Sequence, residues 1–86
     1  MRTQRPHPLV TAPQLGVLLR STRKQRGLTQ AEVAGRLGLS QNRVSHLELH
    51  ADELSVKQLL GWCAVLGLEL QLAQRAAATP DPAVEW

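Results

Sequence analysis

The sequence predicts an all-α domain that is extended at its C-terminal end by one β-strand. Four segments with helical periodicity each begin after a residue that can cap a helix: Thr11, Thr29, Ser40 and Ser55. Three of these segments end at a glycine: Gly27, Gly38 and Gly67. One later segment, residues 68–74, instead alternates apolar and polar side chains with the period of a strand.

The composition limits the chain to one small domain. It has 86 residues and contains two Trp but no Phe or Tyr, so the core must be built from Leu, Val and Ala. A core this small favours a homodimer. The single cysteine, Cys63, excludes an internal disulfide and fits a reducing compartment. No apolar run approaches the roughly 20 residues of a membrane span, so we expect no membrane contact. Together with the single cysteine, this predicts a cytoplasmic protein.

Charge is distributed unevenly along the chain. The first 43 residues carry eight basic groups and one acidic group, whereas residues 44–86 carry two basic and six acidic groups. A basic half on a small domain favours a polyanion partner, most simply nucleic acid. A solvated basic helix face would explain the same distribution.

The first helix is expected to begin after residues 1–10, which have no periodicity and form a flexible arm. Thr11 and Gln14 make a T-x-x-Q capping box, and leucines follow at helical spacing on one face: Leu15, Leu18 and Leu19. The arm contains Arg2 and Arg5 and can reach along a phosphate backbone, although disorder is the ordinary state of a chain terminus.

The second and third helices are joined by one tight turn. Thr29 and Glu32 make a second capping box, and Ser40 caps the helix after the turn. Val44 and Leu47 lie three residues apart and are expected to pack inward. The other side chains of the third helix form an exposed polar face without a carboxylate: Gln41, Asn42, Arg43, Ser45 and His46.

The fourth helix follows a polar loop at residues 50–54. Its inward stripe is expected to contain Val56, Leu59, Leu60 and Cys63. Trp62 lies outside this stripe, beside Leu66 at i+4 spacing, and a large apolar side chain there favours a dimerisation surface. The alternative is a partly buried Trp that covers the edge of the core.

The strand predicted at residues 68–74 places Leu68, Leu70 and Leu72 on one face. Because a lone strand leaves its backbone groups unpaired, we expect it to pair antiparallel with its own copy across a twofold axis. The alternative is that the fourth helix continues, which Gly67 disfavours. Residues 76–86 are small, acidic and proline-containing, and we expect a disordered tail. Trp86 at its tip is either accidental or a docking residue for another protein. The domain itself then spans residues 11–75.

Residues 28–48, LTQAEVAGRLGLSQNRVSHLE, closely resemble the helix-turn-helix motif of Cro/C1-type (Xre) regulators. Ala34, Gly38, Val44 and Leu47 fall at the spacings of that family. The resemblance covers roughly residues 12–66 and implies a lambda-repressor-like domain of four to five helices that binds DNA. One departure is that a glycine often follows soon after the family's glutamate, whereas Leu49-His50-Ala51 follow Glu48 here.

Three features resemble the antitoxin subunit of Hip-type toxin–antitoxin modules more closely: the small size, the LELQL segment after the fourth helix, and the tail that ends in Glu-Trp. This resemblance implies a homodimer with paired C-terminal strands. It also implies a repressor that binds operator DNA, autoregulates its operon and neutralises a HipA-like Ser/Thr kinase toxin. Two alternatives are a stand-alone phage-type or metabolic repressor and a protein-sequestering interaction module.

Several residues are candidates for contact with DNA. Capped helix N-termini present free N–H groups to phosphates, which makes Thr29 and Ser40 backbone contacts. The resemblance implies that Gln30 bonds a phosphate. Gln41 and Asn42 can each make bidentate contacts with adenine. Two further candidates complete the set: Arg43, for guanine or a phosphate, and His46, for a purine N7 or a phosphate.

The resemblance also implies a structural ion pair between Arg23 and Glu48. His46 and His50 are spaced like metal ligands, but HLELH is not H-E-x-x-H and no third ligand is evident, so no metal is expected. The sequence contains no phosphate-binding loop and no catalytic triad. We therefore expect neither a cofactor nor enzymatic activity.

Overall fold

The computed structural model describes residues 6–75 and contains four α-helices in this range. They are α1 (Ala12–Gln25), α2 (Gln30–Leu37), α3 (Gln41–Leu49) and α4 (Val56–Leu66). A short 3-10 helix, Ala51–Glu53, lies between α3 and α4, where the sequence predicted a polar loop. No helix among the described residues is long and apolar enough to cross a membrane.

The helices begin at the predicted caps. Capping boxes are formed at Thr11, Thr29 and Ser55, and in each of them the third helical residue bonds back to the cap. Ser40 Oγ accepts a hydrogen bond from the Arg43 N–H at 3.0 Å and so caps α3. At the other ends, α2 and α4 stop at Gly38 and Gly67, which both have a φ near +70°. The predicted helix boundaries are therefore confirmed, and α4 does not continue beyond Gly67.

The core lies between the four helices and is almost entirely aliphatic. Its fully buried side chains come from every helix: Leu19, Val33, Val44, Leu47, Trp62 and Leu66. Trp62 is the largest of these side chains. A ring of partly buried leucines, among them Leu15 and Leu59, packs around this group.

The predicted orientation of α4 is wrong in part. Trp62 and Leu66 were expected to form a dimerisation surface, but they are 0% and 1% exposed and lie in the core of the monomer. Val56 and Leu60 were expected to point inward, but they are 69% and 49% exposed. The physical reason is that α4 is apolar on several sides, so its pattern does not fix its rotation. Burying the indole removes the most apolar surface from water and decides which side faces inward. Cys63 is buried as predicted.

The described part of the chain contains no strand. Residues 68–75 follow α4 without regular secondary structure. Leu68 packs against the core, whereas Leu70 is partly exposed and Leu72 is almost fully exposed. A single copy offers no second segment with which residues 68–74 could form a ladder, so the predicted intermolecular strand stays a prediction. The proposed tail, residues 76–86 with Trp86, lies outside the described residues, as do residues 1–5 of the arm.

One close approach in this fold has no counterpart in the sequence prediction. Gly16 on α1 lies against the end of α3, and a β-carbon at this position would run into the carbonyl oxygen of Glu48. The missing side chain therefore lets α1 approach the backbone of α3 closely. This contact helps to set the position of α3 on the rest of the domain.

Candidate nucleic-acid interface

Helix α3 separates into a buried side and an exposed side, as its sequence predicted. Val44 and Leu47 are completely buried, and Glu48 is buried beside them. On the opposite side, Gln41 and Asn42 are exposed. Ser45 and His46 are partly exposed. Gln41 and Asn42, which were predicted to make bidentate contacts with adenine, are thus available on the surface.

The buried side of α3 is bonded to α1 by the predicted ion pair. Arg23 Nε donates to Glu48 Oε2 at 2.6 Å, and a second guanidinium N–H donates to Oε1 at 3.2 Å. The side chains of Arg23 and Glu48 are only 8% and 2% exposed. Arg23 also donates to the carbonyl oxygen of Leu28 at 2.9 Å, just before α2. A bidentate, desolvated pair of this kind fixes the orientation of α3 as well as its position.

Gln30 joins this ion pair. Its side-chain amide donates to Glu48 Oε1 at 3.1 Å, so the residue that was predicted to bond a phosphate is already anchored inside the protein. An amide nitrogen has two N–H donors, which leaves one for a ligand. The sequence motif placed Gln30 at the start of α2, but the bond to Glu48 was missed because the two residues lie 18 positions apart.

The N-termini of α2 and α3 are both exposed at their caps. The Thr29 and Ser40 hydroxyls each accept one backbone N–H, from Glu32 and Arg43 respectively. The remaining N–H groups of the first turns face outward together with the positive end of the helix dipole. Hydrogen bonds from Thr29 lower the pKa of Glu32, so this carboxylate stays ionised at the start of α2. Both termini have the geometry of phosphate contacts.

A carboxylate that the sequence analysis did not identify lies beside two of the predicted DNA-contacting residues. His46 Nε2 lies 2.9 Å from Glu53 Oε1, and an Arg43 guanidinium nitrogen lies 3.9 Å from the same oxygen. The hydrogen bond from His46 lowers the pKa of Glu53. The His46 and His50 rings stack with centroids 4.5 Å apart. Arg43 and His46 thus face the short 3-10 helix, while Gln41 and Asn42 have no such internal partner within residues 6–75.

A shallow cavity of about 130 Å³ marks the other edge of α3. Its lining residues come from three helices: Arg20, Gln30, Ser45, Glu48 and Leu49. Arg20 brings a cation next to Gln30, and the sequence analysis had not selected it. The cavity lies where the start of α2 meets the exposed side of α3, so it belongs to the same surface as the predicted contacts.

No group of three or more potential metal ligands lies together within residues 6–75. His46 and His50, the pair considered in the sequence, are partnered by Glu53 and by each other's rings.

A capped helix, a turn at a left-handed glycine and a second capped helix with an exposed polar side define a helix-turn-helix protein. The family model for the helix-turn-helix domain matches residues 14–78, and the chain belongs to this family. The sequence resemblance to Cro/C1-type (Xre) regulators is thereby confirmed.

Two solved structures are similar over most of the chain, and both contain HipB. One is a HipB–O1–O2 complex, with 25% sequence identity and a TM-score of 0.72 over 79% of this chain and 99% of the matched chain. The other is a HipA–HipB–O2–O3 complex, with the same identity and TM-score over 79% of this chain and 96% of the matched chain. The finer resemblance, to Hip-type antitoxins, is confirmed by these matches. No curated protein matches the chain.

Proposed function

We propose that this protein is a sequence-specific DNA-binding repressor that acts as the antitoxin of a HipA-like kinase and autoregulates its operon. The observation that carries the proposal is the division of α3. Glu48 fixes one side of this helix to Arg23 of α1, while Gln41 and Asn42 are exposed on the other side. A rigidly held helix with exposed amides is what base recognition in the major groove requires.

Each side chain has a defined role in this proposal. Gln41 and Asn42 read adenine through bidentate hydrogen bonds. Gln30 and the N-termini at Thr29 and Ser40 hold phosphates, which sets the register of α3 on the duplex. Two further contacts are made next to the 3-10 helix by Arg43 and His46. On binding DNA, each of these side chains leaves Glu53 and contacts a base edge or a phosphate instead.

A homodimer is the second part of the proposal. Residues 68–74 pair with the same segment of a second copy, which brings Leu68, Leu70 and Leu72 of both copies together. Support comes from the exposure of Leu70 and Leu72, which a single copy leaves in water. The twofold axis places the two α3 helices in successive major grooves, about 34 Å apart.

The toxin partner is the third part of the proposal. Support comes from the similarity to HipB, which has been solved in a complex with HipA. We assign partner docking to Trp86, because a large aromatic side chain outside the proposed domain at residues 11–75 can fill a pocket on another protein.

Binding to the DNA upstream of the gene tests the first part. We expect the affinity to fall steeply with salt, because each neutralised phosphate releases counterions. Asn42→Ala should weaken specific binding by about 1–3 kcal/mol and leave thermal stability unchanged. Gln25→Ala removes an exposed amide at the last residue of α1, outside the proposed contacts; it is the control and should bind like the wild type. A flat salt dependence, or equal binding by both variants, would contradict DNA recognition by α3.

Removal of residues 76–86 tests the third part. The truncated chain should fold and bind DNA like the full chain, but it should retain less of a kinase encoded by the neighbouring gene in a co-purification assay. Equal retention would contradict the assignment of Trp86, and the absence of a kinase-like neighbour would favour a stand-alone repressor. Loss of the dimer in sedimentation would show that the strand extends beyond residue 74.

A further inference from the structure

Leu49 is an apolar side chain on the exposed side of α3. It is the last residue of the helix and is 68% exposed, whereas Val44 and Leu47 of the same helix are completely buried. None of the contacts assigned above uses it. Because Leu49 does not pack into the core, most of its apolar surface stays in water unless a binding partner covers it.

The helical period places Leu49 among the proposed DNA contacts. Asn42, Ser45 and Leu49 lie at i, i+3 and i+7, so they form one stripe along α3. This stripe is opposite the side that contains Val44 and Leu47. Ser45 and Leu49 also line the shallow cavity next to Gln30. Leu49 therefore lies on the edge of α3 that faces the start of α2, where we placed a phosphate.

The edges of the bases determine what an apolar side chain can recognise in this position. Donors and acceptors line the major groove, and the 5-methyl group of thymine is the one apolar group among them. A leucine cannot bond the polar edges, but it can bury a methyl group and remove apolar surface from water.

We propose that Leu49 contacts the 5-methyl group of a thymine and makes that base pair part of the recognised sequence. This inference rests on the DNA-binding function proposed above. Seven residues of helix rise about 10 Å, and base pairs are spaced about 3.4 Å apart. The thymine therefore lies within about three base pairs of the base that Asn42 reads.

The experiment begins with a binding site selected by the wild-type protein from a randomised duplex pool. Each thymine of this site is then replaced by deoxyuridine, which removes only the 5-methyl group. Affinities are measured by fluorescence anisotropy for the wild type and for Leu49→Ala. We expect one thymine position in each half-site to be sensitive. A single replacement there should weaken DNA binding by the wild type about fourfold, the value for one buried methyl group. The same replacement should not change DNA binding by Leu49→Ala.

Val17→Ala is the matched control, because Val17 is also 68% exposed but lies on α1. This variant should show the same sensitivity to deoxyuridine as the wild type. Both variants should keep the melting temperature of the wild type, since neither residue is buried, so a difference in binding cannot come from loss of folding.

The outcomes separate the two proposals. A selection that converges supports DNA recognition whatever happens at Leu49. Equal losses for the wild type and Leu49→Ala at every thymine would then overturn the Leu49 contact alone, as would the absence of any effect of deoxyuridine. A selection that does not converge would overturn both proposals.

Discussion

Helices α3 and α4 are both short and both begin at a serine cap, but their sequences determine their orientation to different degrees. On α3, Val44 and Leu47 are the only apolar residues that share one side, and both are completely buried. On α4, apolar residues occur on several sides, and packing rather than pattern places Trp62 inward and Leu60 outward. When the apolar residues of a helix share one side, as in α3, the sequence determines which side faces the core. When they occur on several sides, as in α4, the tertiary contacts determine it.

The two helices also leave different surfaces to the solvent. The exposed side of α3 carries amides that can recognise specific groups on a ligand. The exposed side of α4 carries Val56 and Leu60, which gain free energy from any contact that excludes water. Substitutions in the two helices should change stability, DNA binding or both, and four experiments test this difference in order of expected effect.

Trp62→Ala should have the largest effect. It removes the largest buried side chain and leaves a cavity between the helices, at a cost of about 4 kcal/mol in the free energy of unfolding. Urea unfolding measures this value. Leu60→Gln, two residues earlier on the same helix but exposed, is the control and should cost less than about 0.5 kcal/mol. A small loss for Trp62→Ala would indicate that the indole serves a partner surface after all.

Glu48→Ala should cost about 3 kcal/mol, because it leaves the buried guanidinium of Arg23 without its anion. Its melting temperature should fall while the base preference of the remaining folded protein stays the same. Asp52→Ala removes an exposed carboxylate outside all the proposed contacts and provides the comparison, with no change in melting temperature. An altered operator preference at unchanged stability would contradict the structural role of this pair.

Ser40→Ala and Ser55→Ala compare the caps of the two helices. Each serine hydroxyl accepts a backbone N–H at 3.0 Å, so each substitution should cost about 1 kcal/mol of stability. Of the two, only Ser40→Ala should also weaken DNA binding, because in our proposal the N-terminus of α3 contacts a phosphate and that of α4 does not. If both variants bind DNA equally well, the N-terminus of α3 does not contribute to binding.

Cys63→Ala, on the inward side of α4, should have the smallest effect on stability. Burial raises the pKa of this thiol above its ordinary value of 9.0, so the unfolded chain loses the proton first as the pH rises. The contribution of Cys63 to stability is therefore complete below pH 9.0 and decreases above it. Urea unfolding between pH 7 and pH 10 should show a steeper decline for the wild type than for Cys63→Ala. Identical declines would contradict burial of the thiol.

The features that sequence could predict are local ones. Thr11, Thr29 and Ser55 each have a capping partner three residues ahead, and Gly38 and Gly67 stand where a left-handed residue is needed. These features depend on neighbours within one turn of helix. The ion pair between Arg23 and Glu48 is a long-range contact, and it was predicted only through the resemblance to a known family.

The features that sequence missed depend on contacts between elements. Nothing near Gly16 in the chain reveals that Glu48 lies against it, and nothing near Glu53 reveals that His46 and Arg43 turn towards it. The rotation of α4 was missed for a related reason. The burial of Trp62 depends on the space left by three other helices, which no property of α4 alone specifies.

Gln30 contacts Glu48 and also lies at the proposed phosphate site. In our proposal, phosphate binding by Gln30 and the positioning of α3 by Arg23 both depend on Glu48, so their free energies are not independent. A double-mutant cycle between Gln30 and Arg23 should show a coupling energy for affinity, although Arg23 is buried and reaches no DNA. The proposed contacts with the DNA backbone are therefore thermodynamically coupled to the packing of α3 inside the domain.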